Sequence, residues 1–142
     1  LKRYISWLEA KPIKSPLRGS ISMASGFGER TDPMNAKPSF HPGIDLSTPI
    51  GTPFYASASG QVVEVRSSSE YGNQILIQHA DGFITRYAHL QSIAVRNGAI
   101  IKQGDYLGNT GNTGKSTGPH LHFETMRNGE KIDPLKLLLV TQ

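Results

Sequence analysis

Two short motifs of the chain contain side chains that can bind a metal ion. His41 and Asp45 lie four residues apart in HPGID, and His120 and His122 lie two apart in GPHLHFE. Positions i and i+2 of a β-strand point to the same face, so the last two imidazoles face the same way. Imidazoles and a carboxylate suit Zn²⁺. Each motif alone also fits a surface pair or a turn, but together they predict a zinc site.

A catalytic zinc site uses three protein ligands and keeps a fourth position open for water. His41, Asp45 and one histidine of GPHLHFE supply three ligands, and spacing alone does not decide which histidine it is. The other histidine and His89, which ends the run FITRYAHL, remain unliganded. Zinc lowers the pKa of its water to about 7, one neutral imidazole can accept a proton, and another can hydrogen-bond a developing oxyanion. This set is typical of metal-assisted hydrolysis.

Other polar residues near these motifs have structural interpretations. His79 ends the apolar run NQILIQHA, which favours a structural role. Asn73 either helps to line the site or, as we expect, is a turn residue. Tyr87 lies two residues before His89, so strand alternation predicts that they share a face. Glu124 follows the histidine pair on the same predicted face. There it either orients a histidine or points to solvent.

Short strands and turns are the elements that must position these side chains. Glycine and proline supply 15 and 9 of the 142 residues, which favours many turns. The runs GQVVEVRSS, NQILIQHA, FITRYAHL and HLHFETMRNGE are β-rich, and the last ends in an Asn-Gly hairpin turn. The pattern predicts an all-β, mostly antiparallel fold.

Three segments have individual predictions. Residues 28–43 are expected to be irregular, and the glycine-rich run GNTGNTGKSTG is interpreted as a flexible wall beside the site. Asp133 and Pro134 predict a last helical turn in DPLKLLL, with the aspartate as its cap. Residues 1–11 have mixed helical spacing that fits a short amphipathic helix ended by Pro12.

The charge distribution divides the chain at about residue 18. Residues 1–18 contain five basic side chains and only Glu9 as an acidic one, whereas the remaining residues contain ten of each sign. A neutral body argues against nucleic-acid binding despite the net charge of +4. We therefore predict a basic arm or linker at 1–18 and one domain at 19–142. The arm could meet an anionic cell surface or connect to an upstream domain.

Several classes of protein are excluded by what the sequence lacks. There is no cysteine, so disulfides and thiolate metal ligands are absent. There is no His-Glu-x-x-His stretch for a helix-borne zinc site, and no apolar run as long as a membrane span. A lipoyl or biotinyl carrier would explain TPFYASASGQVVEV and AIIKQGDYLG. However, the segment from Gln61 to Arg96 contains no lysine to modify.

The motifs FHPGIDL, YAHL and GPHLHFE, in this order, resemble those of the lysostaphin-type (LytM-like) zinc metallopeptidases. GFGER, GTPFYASASGQVVEV and IIKQGDYLGNTGNTG also match, and the resemblance spans roughly residues 19–136. The resemblance implies a compact antiparallel β-sheet core with loops that wall a narrow, metal-containing groove. It implies that His41, Asp45 and His122 bind zinc. It also implies that His120 is the general base and that His89 stabilises the tetrahedral intermediate.

The implied function is a Zn²⁺-dependent endopeptidase. It would hydrolyse peptide cross-links or stem peptides of bacterial peptidoglycan, in the periplasm or in the extracellular cell wall. Some family members lack these residues and act as non-catalytic activators, but here all five positions are filled. A latent binding module that keeps its zinc site but has lost access is the alternative. We expect a monomer, since no hydrophobic stripe is left over.

Overall fold

The computed structural model describes residues 9–19, 22–31 and 35–138. Short 3-10 helices lie at Ala80–Gly82 and Pro134–Lys136. The strands are β1 (Met23–Ser25), β2 (Gly28–Thr31), β3 (Pro38–His41), β4 (Ile44–Ser47), β5 (Pro53–Tyr55), β6 (Gly60–Ser68), β7 (Gly72–Gln78), β8 (Phe83–Ile93), β9 (Ile100–Ile101), β10 (Tyr106–Thr110), β11 (His120–Arg127) and β12 (Glu130–Ile132). The helix predicted at residues 1–11 falls mostly on residues outside the described ranges.

Ten of these strands form one antiparallel sheet. Its main path has the order β1-β4-β11-β8-β7-β6-β9, and β10 pairs with β5 and β8 while β12 pairs with β11. Strands β2 and β3 form a separate two-stranded hairpin. The predicted all-β, mostly antiparallel fold is confirmed. The central position of β11, between β4 and β8, is what brings the chemical motifs together.

The core is built from the apolar positions of alternating strands. Leu121 and Phe123 are fully buried on one face of β11, and they pack with Ile75, Ile77 and other side chains of the sheet. Burial of each such side chain contributes about 1.5–3 kcal/mol to stability. The apolar face of β11 therefore fixes the strand, and its histidines must point to the opposite face.

Two predicted turns are present. Asn128 and Gly129 have φ angles of 52° and 82° between β11 and β12, which is the left-handed backbone of a type I′ hairpin turn. Asp133 caps the last 3-10 helix, and its side chain accepts a hydrogen bond from the backbone N–H of Leu135.

The prediction of an irregular segment at residues 28–43 was wrong for much of its length. Strands β2 and β3 pair there, and Gly28 lies opposite His41. Phe27 and Phe40 pack edge to face, with ring centroids 5.2 Å apart. The strands are short and largely exposed, so the alternating hydrophobic pattern that identifies a buried strand is missing.

The described part of the arm packs along the domain. The backbone N–H of Tyr55 donates to the carbonyl of Pro16 at 2.8 Å, and that of Ser59 donates to the carbonyl of Glu9 at 2.6 Å. Leu17 is buried in the core cluster. A boundary at residue 18 stays a prediction. Among the described residues, no helix has the length and apolar character to cross a membrane.

Candidate metal centre and catalytic cleft

The register between β4 and β11 places Asp45 directly opposite His122. Directly opposed residues of an antiparallel pair share a face, with Cβ atoms about 4.5–5.5 Å apart. The Nδ1 atom of His122 and the Oδ1 atom of Asp45 are accordingly 2.7 Å apart. Two residues that are 77 positions apart in sequence are thus joined by strand pairing alone.

His41 reaches the same point from the end of β3. Its Nε2 atom lies 3.3 Å from Oδ2 of Asp45, and its Nδ1–H donates to the carbonyl of Gly26 at 2.7 Å. The turn at Pro42 and Gly43 lies tightly against β11, because a Cβ at Gly43 would be 2.3 Å from the carbonyl oxygen of Phe123. Glycine is therefore required for the turn that folds His41 onto Asp45.

The donor atoms of these three residues fit a small divalent cation. One ligand atom each from His41, Asp45 and His122 lies within 4.8 Å of the others. Tetrahedral zinc with bonds of about 2.0–2.1 Å would separate its ligand atoms by roughly 3.3 Å. Each imidazole also has its second nitrogen held by an oxygen acceptor, which is the usual arrangement for histidine ligands of zinc. The donor set is thus suited to Zn²⁺.

Glu124 is fully buried and accepts hydrogen bonds from four side chains. His122 donates through Nε2–H at 2.7 Å, the hydroxyl of Tyr71 at 2.8 Å, and Arg86 and Lys131 each at 2.9 Å. Burial alone would raise the pKa of this carboxyl group. The hydrogen bond from His122 and the two cations outweigh burial and hold the pKa at about 2. Of the two sequence interpretations, orientation of a histidine is therefore the correct one.

The same cluster concentrates negative charge around His122. Burial alone would raise the pKa of Asp45, but hydrogen bonds from His122 and His41 hold it well below its ordinary value. Burial alone would lower the pKa of His122, yet the hydrogen bonds to Asp45 and Glu124 raise it. An imidazole flanked by two ionised carboxylates favours a positive charge at this position, whether a proton or a metal ion.

His120 lies beside the cluster and has a different anchor. Its Nε2 atom is 3.4 Å from Oδ1 of Asp45, against 2.7 Å for Nδ1 of His122. Its Nδ1–H donates to the backbone carbonyl of Gly118 at 2.7 Å. A carbonyl oxygen can only accept, so neutral His120 has its proton on Nδ1 and a lone pair on Nε2.

His89 joins the group because the backbone of β8 changes direction there. Its φ angle is 61°, a left-handed value that is uncommon outside glycine. Its Nδ1–H donates to the carbonyl of Thr113 at 2.6 Å, and its ring centroid lies 4.9 Å from that of His120. Burial lowers the pKa of His89 to about 4, so the imidazole is neutral at pH 7.

The prediction that Tyr87 and His89 share a face was wrong. Tyr87 is fully buried in the core, and its hydroxyl accepts from the backbone N–H of Ser57 at 2.9 Å, whereas His89 lines the cleft. Alternation fails because of the left-handed backbone at His89 and a register shift in the β7–β8 pairing between Asn73 and Ile75.

All five residues that the sequence singled out line one cleft of about 430 Å³. The walls come from β1, from β3, from the turn at residues 70–71 and from residues 115–117. The glycine-rich run therefore borders the site as predicted. Phe40 stands on one wall with 54% of its surface exposed.

The interpretation of His79 as a structural residue is confirmed. It is buried away from the cleft, and its two ring nitrogens contact the carbonyl of Ser59 and the hydroxyl of Thr85. Asn73 lies in β7 and not in a turn, and its side chain donates to the carbonyl of Leu90. Tyr71 and Thr113 are site residues that the sequence did not reveal, because neither belongs to a ligand pattern.

Comparison with known proteins gives a result that is consistent with a metal centre of this kind. Residues 39–134 match Peptidase family M23. The chain belongs to peptidase family M23. The resemblance to lysostaphin-type peptidases is thereby confirmed, and the matched residues include every candidate ligand and catalytic histidine. The family match favours a peptidase over a lipoyl or biotinyl carrier.

Individual members of the M23 family show how widely the likeness extends. The chain is 38% identical over 122 residues to the peptidoglycan DD-endopeptidase ShyA of Vibrio cholerae, which covers 85% of this chain and 28% of that protein. A zinc-containing peptidase from Vibrio cholerae superposes with a TM-score of 0.83 at 36% identity, over 89% of this chain and 40% of that one. The catalytic domain of lysostaphin from Staphylococcus simulans superposes with a TM-score of 0.74 at 36% identity. This match covers 82% of this chain and 90% of that domain.

Proposed function

We propose that the chain is the catalytic domain of a zinc-dependent endopeptidase that hydrolyses peptide bonds in bacterial peptidoglycan. The observation that carries this proposal is the convergence of three metal-type donors with two further histidines in one cleft. The chain spans less than a third of the length of the curated relative ShyA. Substrate, partners and regulation of a longer protein are part of the proposal.

The ligands we propose are Nε2 of His41, the carboxylate of Asp45 and Nδ1 of His122. Zinc bound there would act as a Lewis acid and would lower the pKa of a water molecule. The protein orients these donors through hydrogen bonds, since the carbonyl of Gly26 accepts from His41 and the carboxylate of Glu124 accepts from His122. Such outer partners fix ring orientation and increase ligand basicity.

His120 is proposed as the general base. Its Nε2 atom has a lone pair that borders the metal ligands, because Nδ1–H is engaged by Gly118. It can accept the proton of the attacking water and later donate it to the amine of the broken peptide bond. Positioned proton transfer of this kind contributes about 10²–10⁴-fold to rate.

His89 is proposed as the second catalytic histidine, which stabilises the tetrahedral intermediate. In its neutral form Nε2 can only accept, because Nδ1–H is bound to the carbonyl of Thr113. It can therefore stabilise the tetrahedral intermediate by accepting a hydrogen bond from the hydroxyl group that the attacking water contributes. Burial lowers its pKa to about 4, so the imidazole stays neutral at pH 7 and keeps this lone pair on Nε2.

We propose D,D cross-links of peptidoglycan as the substrate class. The support is the name of the relative ShyA, a peptidoglycan DD-endopeptidase, at 38% identity. The cleft offers an extended peptide an apolar contact at Phe40 and one side chain of each charge at Glu70 and Lys115. Such a substrate places the enzyme in the periplasm or at the cell wall, and the basic arm would connect it to a preceding domain.

Digestion of defined muropeptides tests the proposal. Purified protein is incubated with cross-linked dimers, with and without a chelator, and the products are identified by mass. We expect cleavage at the cross-link that stops with chelator and returns with added zinc. Turnover that is absent at every zinc concentration would contradict the proposal and favour a latent or non-catalytic module.

A further inference from the structure

The glycine-rich loop at residues 111–118 is locked to the sheet. A Cβ at Gly114 would lie 2.2 Å from the backbone nitrogen of Gly72, and a Cβ at Gly72 would lie 2.4 Å from the carbonyl carbon of Thr113. Both glycines also have positive φ angles. The loop and the start of β7 can approach this closely only because neither residue has a side chain.

Hydrogen bonds reinforce this contact on both sides. The hydroxyl of Thr113 donates to the carbonyl of Leu90 at 2.9 Å and accepts from the backbone N–H of Asn73 at 3.1 Å. The backbone N–H of Lys115 donates to the carbonyl of Glu70 at 3.0 Å. The loop is therefore tied to β8, to β7 and to the turn before β7. The expectation that it is a flexible wall does not fit these contacts.

The same loop supplies the acceptors for both histidines outside the metal cluster. The carbonyl of Thr113 accepts from Nδ1–H of His89 at 2.6 Å, and the carbonyl of Gly118 accepts from Nδ1–H of His120 at 2.7 Å. The hydroxyl of Ser116 donates to the Gly118 carbonyl at 2.8 Å. Two acceptors five residues apart thus fix two rings that come from different strands.

We propose that the loop at residues 111–118, clamped by Gly72 and Gly114, is one positioning device that holds both His89 and His120 in the Nδ1–H tautomer. Both Nε2 atoms then present lone pairs to the cleft. Thr113, Gly114 and Gly118 act through the two histidines and do not touch the substrate. This inference rests on the proposed function, because it explains how the two histidines are prepared for proton transfer.

Gly114→Ala is the main test, since its methyl group would force the loop away from Gly72. Gly98→Ala is the matched control: Gly98 also has a positive φ, of 92°, but nothing lies within 4 Å of its Cβ position. The ¹⁵N shifts of the histidine ring nitrogens report the tautomer directly. They are measured on the metal-free and the zinc-loaded protein, together with zinc affinity and hydrolysis.

We expect His89 and His120 of the unsubstituted protein to show Nδ1–H signatures. Gly114→Ala should shift both histidines toward mixed tautomers and reduce hydrolysis by about 10²-fold, the usual cost of displacing a catalytic group. Zinc affinity should be unchanged. Gly98→Ala should match the unsubstituted protein in tautomers and activity.

Other results separate this inference from the proposed function. An Nε2–H signature for either histidine in the unsubstituted protein would contradict the proposal that one loop positions both rings. A change at only one histidine in Gly114→Ala would contradict it as well. If Gly114→Ala does not fold, Thr113→Val removes only the hydroxyl clamp and should shift both histidines in the same direction. If both histidines show the Nδ1–H tautomer but the protein hydrolyses no substrate, the proposed activity is rejected and the positioning role of the loop is supported.

Discussion

The two histidines of GPHLHFE lie on the same face of one strand but have opposite surroundings. His122 is held by ionised carboxylates, with Asp45 at one ring nitrogen and Glu124 at the other. His120 is held by the neutral carbonyl of Gly118. A carboxylate stabilises positive charge on its partner, whereas a carbonyl only directs the position of one proton. The first environment suits a metal ligand, and the second suits a neutral base.

The supports of the two regions also differ in origin. The region around His122 is built by strand pairing: Asp45 lies opposite His122, and Arg86 lies opposite Glu124. The region around His120 and His89 depends on backbone carbonyls of one loop. Carboxylate side chains supply the negative charge that favours a metal ion, whereas backbone carbonyls orient the two imidazoles for proton transfer.

Removal of the metal should have the largest effect. The donors of the metal centre come from β3, β4 and β11, so a chelator should abolish hydrolysis and lower the thermal midpoint. A ligand that binds only the folded state stabilises it by about 2.7 kcal/mol at 100 times its Kd. Hydrolysis and thermal unfolding are measured before and after addition of zinc to the chelated protein. Full activity in the chelated, zinc-free protein would contradict the account.

Substitution of Glu124 should weaken the metal region alone. Glu124→Ala removes the acceptor of Nε2–H and should lower zinc affinity by about 10–100-fold. Glu124→Gln keeps an acceptor oxygen but not the charge and should have a smaller effect. Chelator competition gives the affinities. Glu64→Ala is the control, since Glu64 pairs with the exposed Arg66 and does not line the cleft. Equal zinc affinities in all these proteins would show that Glu124 is not a support of His122.

A milder change to the same region is Tyr71→Phe. Its hydroxyl donates to Glu124 at 2.8 Å, and burial, followed by the charge of Glu124, raises the pKa of Tyr71 to about 12, so it remains a donor at neutral pH. Loss of one such hydrogen bond should weaken zinc binding by about 2–10-fold. Tyr106→Phe, whose hydroxyl contacts Asn109, is the control. A zinc affinity in Tyr71→Phe equal to that of the control would exclude a contribution from this hydroxyl.

The smallest effect should lie outside the cleft, at His79. Burial lowers its folded pKa below the ordinary 6.5, so the unfolded chain binds its proton more readily. The stability it contributes is present above pH 6.5 and is lost as the pH falls toward the folded pKa. His79→Gln should flatten the dependence of unfolding free energy on pH, as followed by urea denaturation. An unchanged slope would argue against a neutral, buried His79.

Patterns of residue type predicted the chemistry better than they predicted the backbone. The alternation of β11, the Asn-Gly turn and the helix cap at Asp133 follow from local physics. The ordered motifs identified the five candidate site residues, all of which line the cleft. The turned backbone at His89 and the β2–β3 hairpin were missed. The first is imposed by contacts with Tyr71 and Thr113 that are distant in sequence, and the second has no apolar alternation.

The burial of Glu124 also could not be predicted from the sequence alone. Its four partners come from β8, β11, β12 and the turn before β7, and only the fold brings them together. The clamp between Gly72 and Gly114 was likewise not predictable, because the two glycines lie in different segments and belong to no common motif. Sequence patterns identify which groups can react, whereas the supports of those groups depend on tertiary contacts.

The zinc content and hydrolytic activity of His120→Ala and His122→Ala, measured side by side, test the central claim most directly. The account predicts that His120→Ala keeps its zinc and loses about 10²–10⁴-fold in activity, whereas His122→Ala loses both. Loss of zinc in His120→Ala with retention in His122→Ala would reverse the two roles and contradict the account.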